Sequence, residues 1–106
     1  MRIRIGNVKN GDEGVYIGRK MPGRDASPLG NPFRVGSHEA PGATLDRYLA
    51  WLRRQYADQG DVYDEMHRLL DLARSGEEVV LVCWCHPLPC HGDVVRDALV
   101  RLDEAT

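Results

Sequence analysis

Five consecutive apolar residues, Val79, Val80, Leu81, Val82 and Cys83, follow Glu77 and Glu78 without interruption. A run of that length, rich in β-branched side chains, predicts a strand. Successive side chains point to opposite faces, so both faces of this strand are apolar, as in a parallel sheet covered on both sides. Continued to Cys85, the strand puts Val79, Leu81, Cys83 and Cys85 on one face and Val80, Val82 and Trp84 on the other. Pro87 and Pro89 then stiffen a short loop, and a helix opens at about Cys90 or His91 with Val94, Val95, Ala98, Leu99 and Leu102 along its apolar face.

The remaining elements can be read around that strand. Arg2 to Ile5 alternates polar and apolar residues, a strand covered by way of Ile3 and Ile5, and Gly6 and Asn7 end it or mark a bulge. Turn formers fill Lys9 to Gly14, and Val15 to Ile17 is a second short strand, paired as a hairpin or as a parallel neighbour. Thr44 is placed to cap a helix whose stripe is Leu45, Tyr48, Leu49, Leu52 and Tyr56. Asp61 is placed to cap the next, with Val62, Met66, Leu69, Leu70 and Ala73 as its stripe and Ser75 and Gly76 as its end. His67 lies off that stripe and reads as a surface residue. The order is β-β-α-α-β-α, and 106 residues suit a single domain over 1–106. The predicted class is α/β, a small Rossmann-like three-layer sandwich with a short, mostly parallel sheet and about three helices.

Composition narrows the partners. A net charge of −2 does not favour a protein whose whole surface grips nucleic acid. Between Gly18 and Arg34, however, Arg19, Lys20, Arg24 and Arg34 stand against Asp25 alone, so that segment suits a small anion. It is also long, glycine-rich and aperiodic, and such segments are either solvated loops or functional ones. Leu29 to Phe33 supports function, since Gly30 permits close backbone approach and Asn31 offers both a donor and an acceptor; Phe33 equally suits an anchor to the core. Three cysteines, two of them in one apolar strand, do not resemble a secreted disulfide framework. With no apolar run near the roughly 20 residues of a membrane span and no signal-peptide core at Met1 to Gly6, the expectation is a cytoplasmic protein with reduced thiols and no membrane partner.

The densest chemistry lies in Cys83 to Asp93. Ligands of open α/β sheets bind beyond the C-terminal ends of strands, where helix N-termini present free amides. Cys85 to Asp93 occupies that position. At a helix start, Cys90 gains thiolate character and becomes a candidate nucleophile. His91 is placed to move a proton or meet a phosphate, and Asp93 to orient a base or cap the helix. The plainer reading is that Cys83 is an inert core residue and that the prolines only end a strand and start a helix. Cys83, Cys85, Cys90 and His91 also make a Cys3His set. Residues two apart in a strand are roughly 6.6 Å apart, against about 3.8 Å for two sulfurs on one zinc. Neighbours at a helix start point about 100° apart, so metal is disfavoured unless the strand stops before Cys85.

Tyr16 to Arg19, Leu29 to Phe33, the Tyr48 to Leu52 helix and above all Cys83 to Val95 resemble the uncharacterised family called domain of unknown function 4326, from bacteria and their phages. The strand ending in cysteine before a Cys-His helix start is also similar to domain of unknown function 488, which implies a small Rossmann-like fold. The resemblance implies that Tyr16, Gly18, Arg19, Gly30 to Phe33, Cys83 to Cys85, Pro87 and Pro89 to Asp93 are motif positions, and it carries no activity with it. Lys20 to Ser27 reads as an insertion between two of the motifs.

The favoured reading is a pocket for a phosphorylated or nucleotide-like ligand between the Gly18–Arg34 loop and the Cys85–Asp93 turn, as in nucleotide or nucleic-acid metabolism. Its ligand-binding residues are Tyr16, Gly18, Arg19, Gly30, Asn31, Cys85 and Gly92, and its candidates for chemistry are Cys90, His91 and Asp93. No cofactor is named by the sequence. One alternative is a non-catalytic phage or bacterial interaction protein; a second is a metal or redox protein using Cys83, Cys85, Cys90 and His91.

Overall fold

A computed structural model describes residues 1–33, 40, 42–84 and 90–105. Three strands, β1 (Arg2–Asn7), β2 (Val15–Tyr16) and β3 (Glu78–Cys83), form one parallel sheet in the order β1-β3-β2. Three helices complete the α/β fold: α1 (Leu45–Ala57), α2 (Asp61–Arg74) and α3 (His91–Ala105). The element order is the one the periodicities predict.

β3 holds the centre because only it can be buried on both faces. Val79 to Cys83 are all buried, and β1 and β2 pair with it on opposite edges, Ile5 and Val15 both in register with Leu81. The hairpin alternative for the first two strands therefore falls: β1 and β2 do not pair, and both run parallel to the strand between them. β1 also extends through Gly6 and Asn7 rather than ending at Ile5, because Gly6 and Asn7 pair with Val82 and Cys83.

One core joins sheet and helices. Ile5, Ile17, Val79, Leu81 and Cys83 pack with Tyr48, Leu52, Met66, Leu69, Leu70, Val95 and Leu99, the residues that the helical stripes single out. On the other face of β3, Val80 lies under the β1–β2 connection, where Gly14 sits directly on the Val80 carbonyl.

Two expected caps work differently. Thr44 precedes α1, but its side chain makes no capping bond; the hydroxyl instead accepts from Asn31 Nδ2 at 3.0 Å. Asp61 is the first residue of α2, Gly60 holds the cap position, and the carboxylate serves only as negative charge in the first turn. Ser75 and Gly76 do end α2, Gly76 with a φ of 96°. His67 is half-buried, not a surface residue: Nε2 lies 2.8 Å from the Tyr56 hydroxyl and its ring packs on Tyr56 and Tyr63.

A Cβ at Gly14 would lie 2.4 Å from the Val80 carbonyl oxygen, a backbone atom that cannot step aside without disturbing β3. Gly14→Ala is expected to cost about 1–3 kcal/mol of stability, as overpacking does, read as a lower urea midpoint at unchanged m-value.

Candidate functional site

Parallel strands deliver their C-terminal ends to one edge of the sheet, here Asn7, Ile17 and Cys83 with Trp84 beyond it. Asn7 is buried and tied twice: Oδ1 accepts from Lys9 N at 2.8 Å and Nδ2 donates to the Trp84 carbonyl at 3.3 Å. The N-terminus of α3 meets this edge. A Cβ on Gly92 would lie 3.2 Å from Ile5 and 3.3 Å from Ile17, so glycine lets the helix start sit against the sheet.

Cys90 is the residue before α3, as the sequence predicts, and its groups close the helix end from within. The Gly92 amide donates to Cys90 Sγ at 3.4 Å, the Asp93 amide to Cys90 O at 3.0 Å, and Cys90 N lies 3.4 Å from Asp93 Oδ2. Cys90 Sγ is 2.8 Å from Cys83 Sγ and 3.7 Å from His91 Nδ1. Cys83 and Cys90 are each 1% exposed.

His91, 7% exposed, places Nε2 2.7 Å from the Ile17 carbonyl. A carbonyl only accepts, so Nε2 carries the proton and the neutral ring keeps its Nδ1 lone pair toward Cys90. Burial holds His91 below its ordinary value of 6.5, aided by the charge of Arg19, with the Ile17 bond and the Cys83 and Asp93 charges opposing. Tyr48 packs edge-on against the imidazole at 5.3 Å and donates to the Leu29 carbonyl at 2.6 Å. Burial raises the Tyr48 phenol well above 10.0, and the nearby Cys90 charge raises it further.

The glycine-rich segment is built rather than loose. Leu29 is fully buried, and Arg19 clamps the segment by donating to the carbonyls of Asn31 and Phe33, both at 2.7 Å. Asn31 Oδ1 accepts from Phe33 N, its Nδ2 binds Thr44, and the Tyr16 hydroxyl donates to the Arg19 carbonyl. Gly18 leaves room for the Tyr16 ring, and Gly30 approaches the Gly18 carbonyl. Phe33 is half-buried against the core with Arg47 over its ring. The residues that look like inserted sequence form a tight turn: Met21 and Arg24 exchange backbone hydrogen bonds of 3.0 and 2.9 Å around Pro22 and Gly23, with Gly23 at a φ of 79°. Proline followed by a positive-φ glycine is the pattern of a type II turn.

Of the sequence-predicted residues, the structure brings Cys83, Cys90 and His91 together, and links them to Tyr16, Gly18 and Arg19 through Ile17. Asp93 stands at the helix start beside Arg96, 3.6 Å away. Arg19, Gly30 and Asn31 join the site's outer wall, where their polar groups hold the segment in shape. Cys85, Pro87, Pro89 and Arg34 lie outside the described residues. Two geometric expectations fail. β3 stops at Cys83, with a bend at Trp84, so the strand expected to run on past Cys83 ends there. Cys90 and His91, expected to point apart, approach to 3.7 Å because the Ile17 carbonyl draws the imidazole back under the helix end. Among the described residues, no group of three or more histidine, cysteine or acidic side chains is arranged to hold a metal ion.

Lys20, counted in the basic cluster, and Trp84, counted as a motif position, were not among the ligand-binding residues that the sequence reading named. A cleft of about 520 Å³ is lined by Lys20, Met21, Pro22, Gly23, Arg24 and Asp25. Trp84 is 38% exposed and donates from Nε1 to Met21 Sδ at 3.1 Å, while Arg24 lies over the Tyr16 ring at 5.2 Å. The cleft thus adjoins the C-terminal edge of the sheet. The nearness of Trp84 to the basic segment left no mark in the sequence, since Trp84 and Met21 are 63 residues apart.

Residues 2–101 match the family described as a domain of unknown function, DUF4326. The chain belongs to that family. No curated protein and no solved structure matches it. No helix among the described residues is long and apolar enough to cross a membrane. In this DUF4326 chain every buried side-chain nitrogen and oxygen among the described residues has a hydrogen-bond partner, so the edge of the sheet is a settled polar network.

Because folding lowers the His91 pKa, the unfolded chain binds the proton more readily. The stabilisation from neutral His91 is full above 6.5 and is lost as pH falls below it. Urea midpoints are expected to fall between about pH 7.5 and about pH 5, and His91→Gln to flatten that slope. Tyr48→Phe, which leaves the Leu29 carbonyl buried without its donor, is expected to cost about 1–3 kcal/mol, read from the same urea titration.

Proposed function

We propose that this protein binds a small anionic, nucleotide-like ligand at the C-terminal edge of its sheet, in the cleft that the Lys20–Asp25 turn makes beside Trp84. The observation that carries the reading is the pairing of two unlike binding devices. Lys20 and Arg24 supply positive charge around a cleft of about 520 Å³, within the size range of small-molecule sites. Trp84 supplies an exposed aromatic face next to it. A phosphate suits the first, and a base suits the second by stacking.

The position follows the general behaviour of parallel sheets, whose ligands lie beyond the carboxyl ends of the strands. Arg19, Asn31, Tyr16 and Gly18 then act as the frame that holds the turn over this edge. The helix end contributes less directly, since Cys90 Sγ and the Cys90 carbonyl already accept from the Gly92 and Asp93 amides. The reducing cytoplasm of a bacterium or of a phage-infected cell is the setting we assign to it, from a cysteine content unlike a secreted disulfide framework and from the family resemblance.

Isothermal titration against AMP, ADP, ATP, ribose 5-phosphate and inorganic phosphate tests the proposal. Saturable binding of at least one nucleotide is expected. Lys20→Ala and Arg24→Ala should each weaken it about tenfold or more, as loss of a charge-assisted contact does. Trp84→Ala should remove the preference for nucleotide over ribose 5-phosphate. Absence of saturable binding to any of the five, or binding unchanged in the Lys20→Ala/Arg24→Ala double variant, would overturn it.

A further inference from the structure

Cys83 and Cys90 come from the end of β3 and the residue before α3, seven positions apart, yet their sulfurs meet at 2.8 Å in the core. We propose that they form a reversible dithiol–disulfide centre, oxidised by hydrogen peroxide, in which Cys90 is attacked first and Cys83 resolves it.

Three contacts divide these roles. The Gly92 amide donates to Cys90 Sγ at 3.4 Å, an arrangement that favours negative charge on that sulfur. His91 Nδ1, the ring nitrogen left without a proton by the Ile17 bond, faces the same sulfur at 3.7 Å and is placed to accept its proton. Cys83 Sγ instead faces the Gly6 carbonyl at 3.8 Å, which only accepts, so the Cys83 thiol keeps its hydrogen. The two sulfurs need an approach of about 0.75 Å, from 2.8 Å to the roughly 2.05 Å of a disulfide.

The step balances without a further reactant. Cys90 gives its proton to His91 Nδ1, and the thiolate attacks one peroxide oxygen. An S–O bond forms as the O–O bond breaks, and the leaving hydroxide takes the proton back from His91 as water. Cys83 sulfur then attacks the Cys90 sulfenic acid; an S–S bond forms, the S–O bond breaks, and the hydroxyl leaves with the Cys83 proton as a second water. Two thiols lose two electrons and two protons, and one peroxide becomes two waters. The third thiol, Cys85, is not required.

Thiol counting on the denatured full-length chain, before and after hydrogen peroxide treatment and its removal, tests this. The wild-type protein carries three cysteines and is expected to fall from three titratable thiols to one. Cys85→Ser is expected to fall from two to none, monomeric on a non-reducing gel and restored by dithiothreitol. Cys83→Ala and Cys90→Ala, checked for folding by circular dichroism, are expected not to form an intramolecular disulfide. The Cys85→Ser variant keeps the test decisive should either alanine variant fail to fold. His91→Gln is expected to slow thiol loss several-fold while leaving the same end point. A Cys85→Ser variant that retains two thiols would overturn the proposal. So would a stoichiometric metal in protein purified without chelator whose thiols resist peroxide until the metal is removed.

Discussion

The bond from His91 Nε2 to the Ile17 carbonyl is the constraint on which the rest of the site depends. Ile17 follows β2, whose pairing with β3 covers only two residues, so this edge of the sheet has little ladder of its own. A buried imidazole at the start of α3 gives it an anchor in the core. The same bond fixes the proton on Nε2, and with it the direction of the Nδ1 lone pair toward Cys90. One contact therefore sets a strand edge, a helix entry and the chemistry of a thiol. Tyr48 extends the arrangement: its ring backs the imidazole, and its hydroxyl holds Leu29, the buried midpoint of the irregular segment.

That segment shows why positive charge in a sequence does not by itself locate an anion site. Arg19 has the strongest sequence argument, yet two of its donors are directed at the carbonyls of its own loop. Carbonyls of an irregular backbone near the core need partners, and a guanidinium supplies several donors in one plane. Asn31 similarly stands in for missing secondary structure, bonding Phe33 on one side and Thr44 on the other. The frame built from these residues carries the tight turn at Pro22 and Gly23, which meets Trp84 through Met21.

Much of the fold was legible because burial leaves periodic marks. The run of Val79 to Cys83 marked the central strand; the whole α2 stripe became core, as did Tyr48 and Leu52 of α1 and Val95 and Leu99 of α3, while Leu45 and Leu49 stay outside it. What was not legible depended on contacts distant in sequence. The end of β3 at Cys83 leaves no mark in an apolar run that continues through Trp84. The role of Thr44 follows from Asn31, thirteen residues earlier, and that of His67 from Tyr56 on another helix. The convergence of Cys90 with His91 departed from helical spacing for a similar reason, since spacing rules describe ideal elements, Cys90 precedes α3, and the first residue of α3 is directed by the Ile17 carbonyl just beyond β2.

Two features consequently share the sheet edge without sharing atoms. The thiol pair lies beneath it, buried among apolar side chains and the imidazole; the cationic turn lies above it, open to solvent. Trp84 stands between them, directly after Cys83 and in contact with Met21 of the turn. Its carbonyl is held by Asn7, which is in register with Cys83 on β1. Cys83 and the tryptophan ring beside the cleft are therefore joined by the covalent chain and by the part-buried bond from Asn7 to the Trp84 carbonyl.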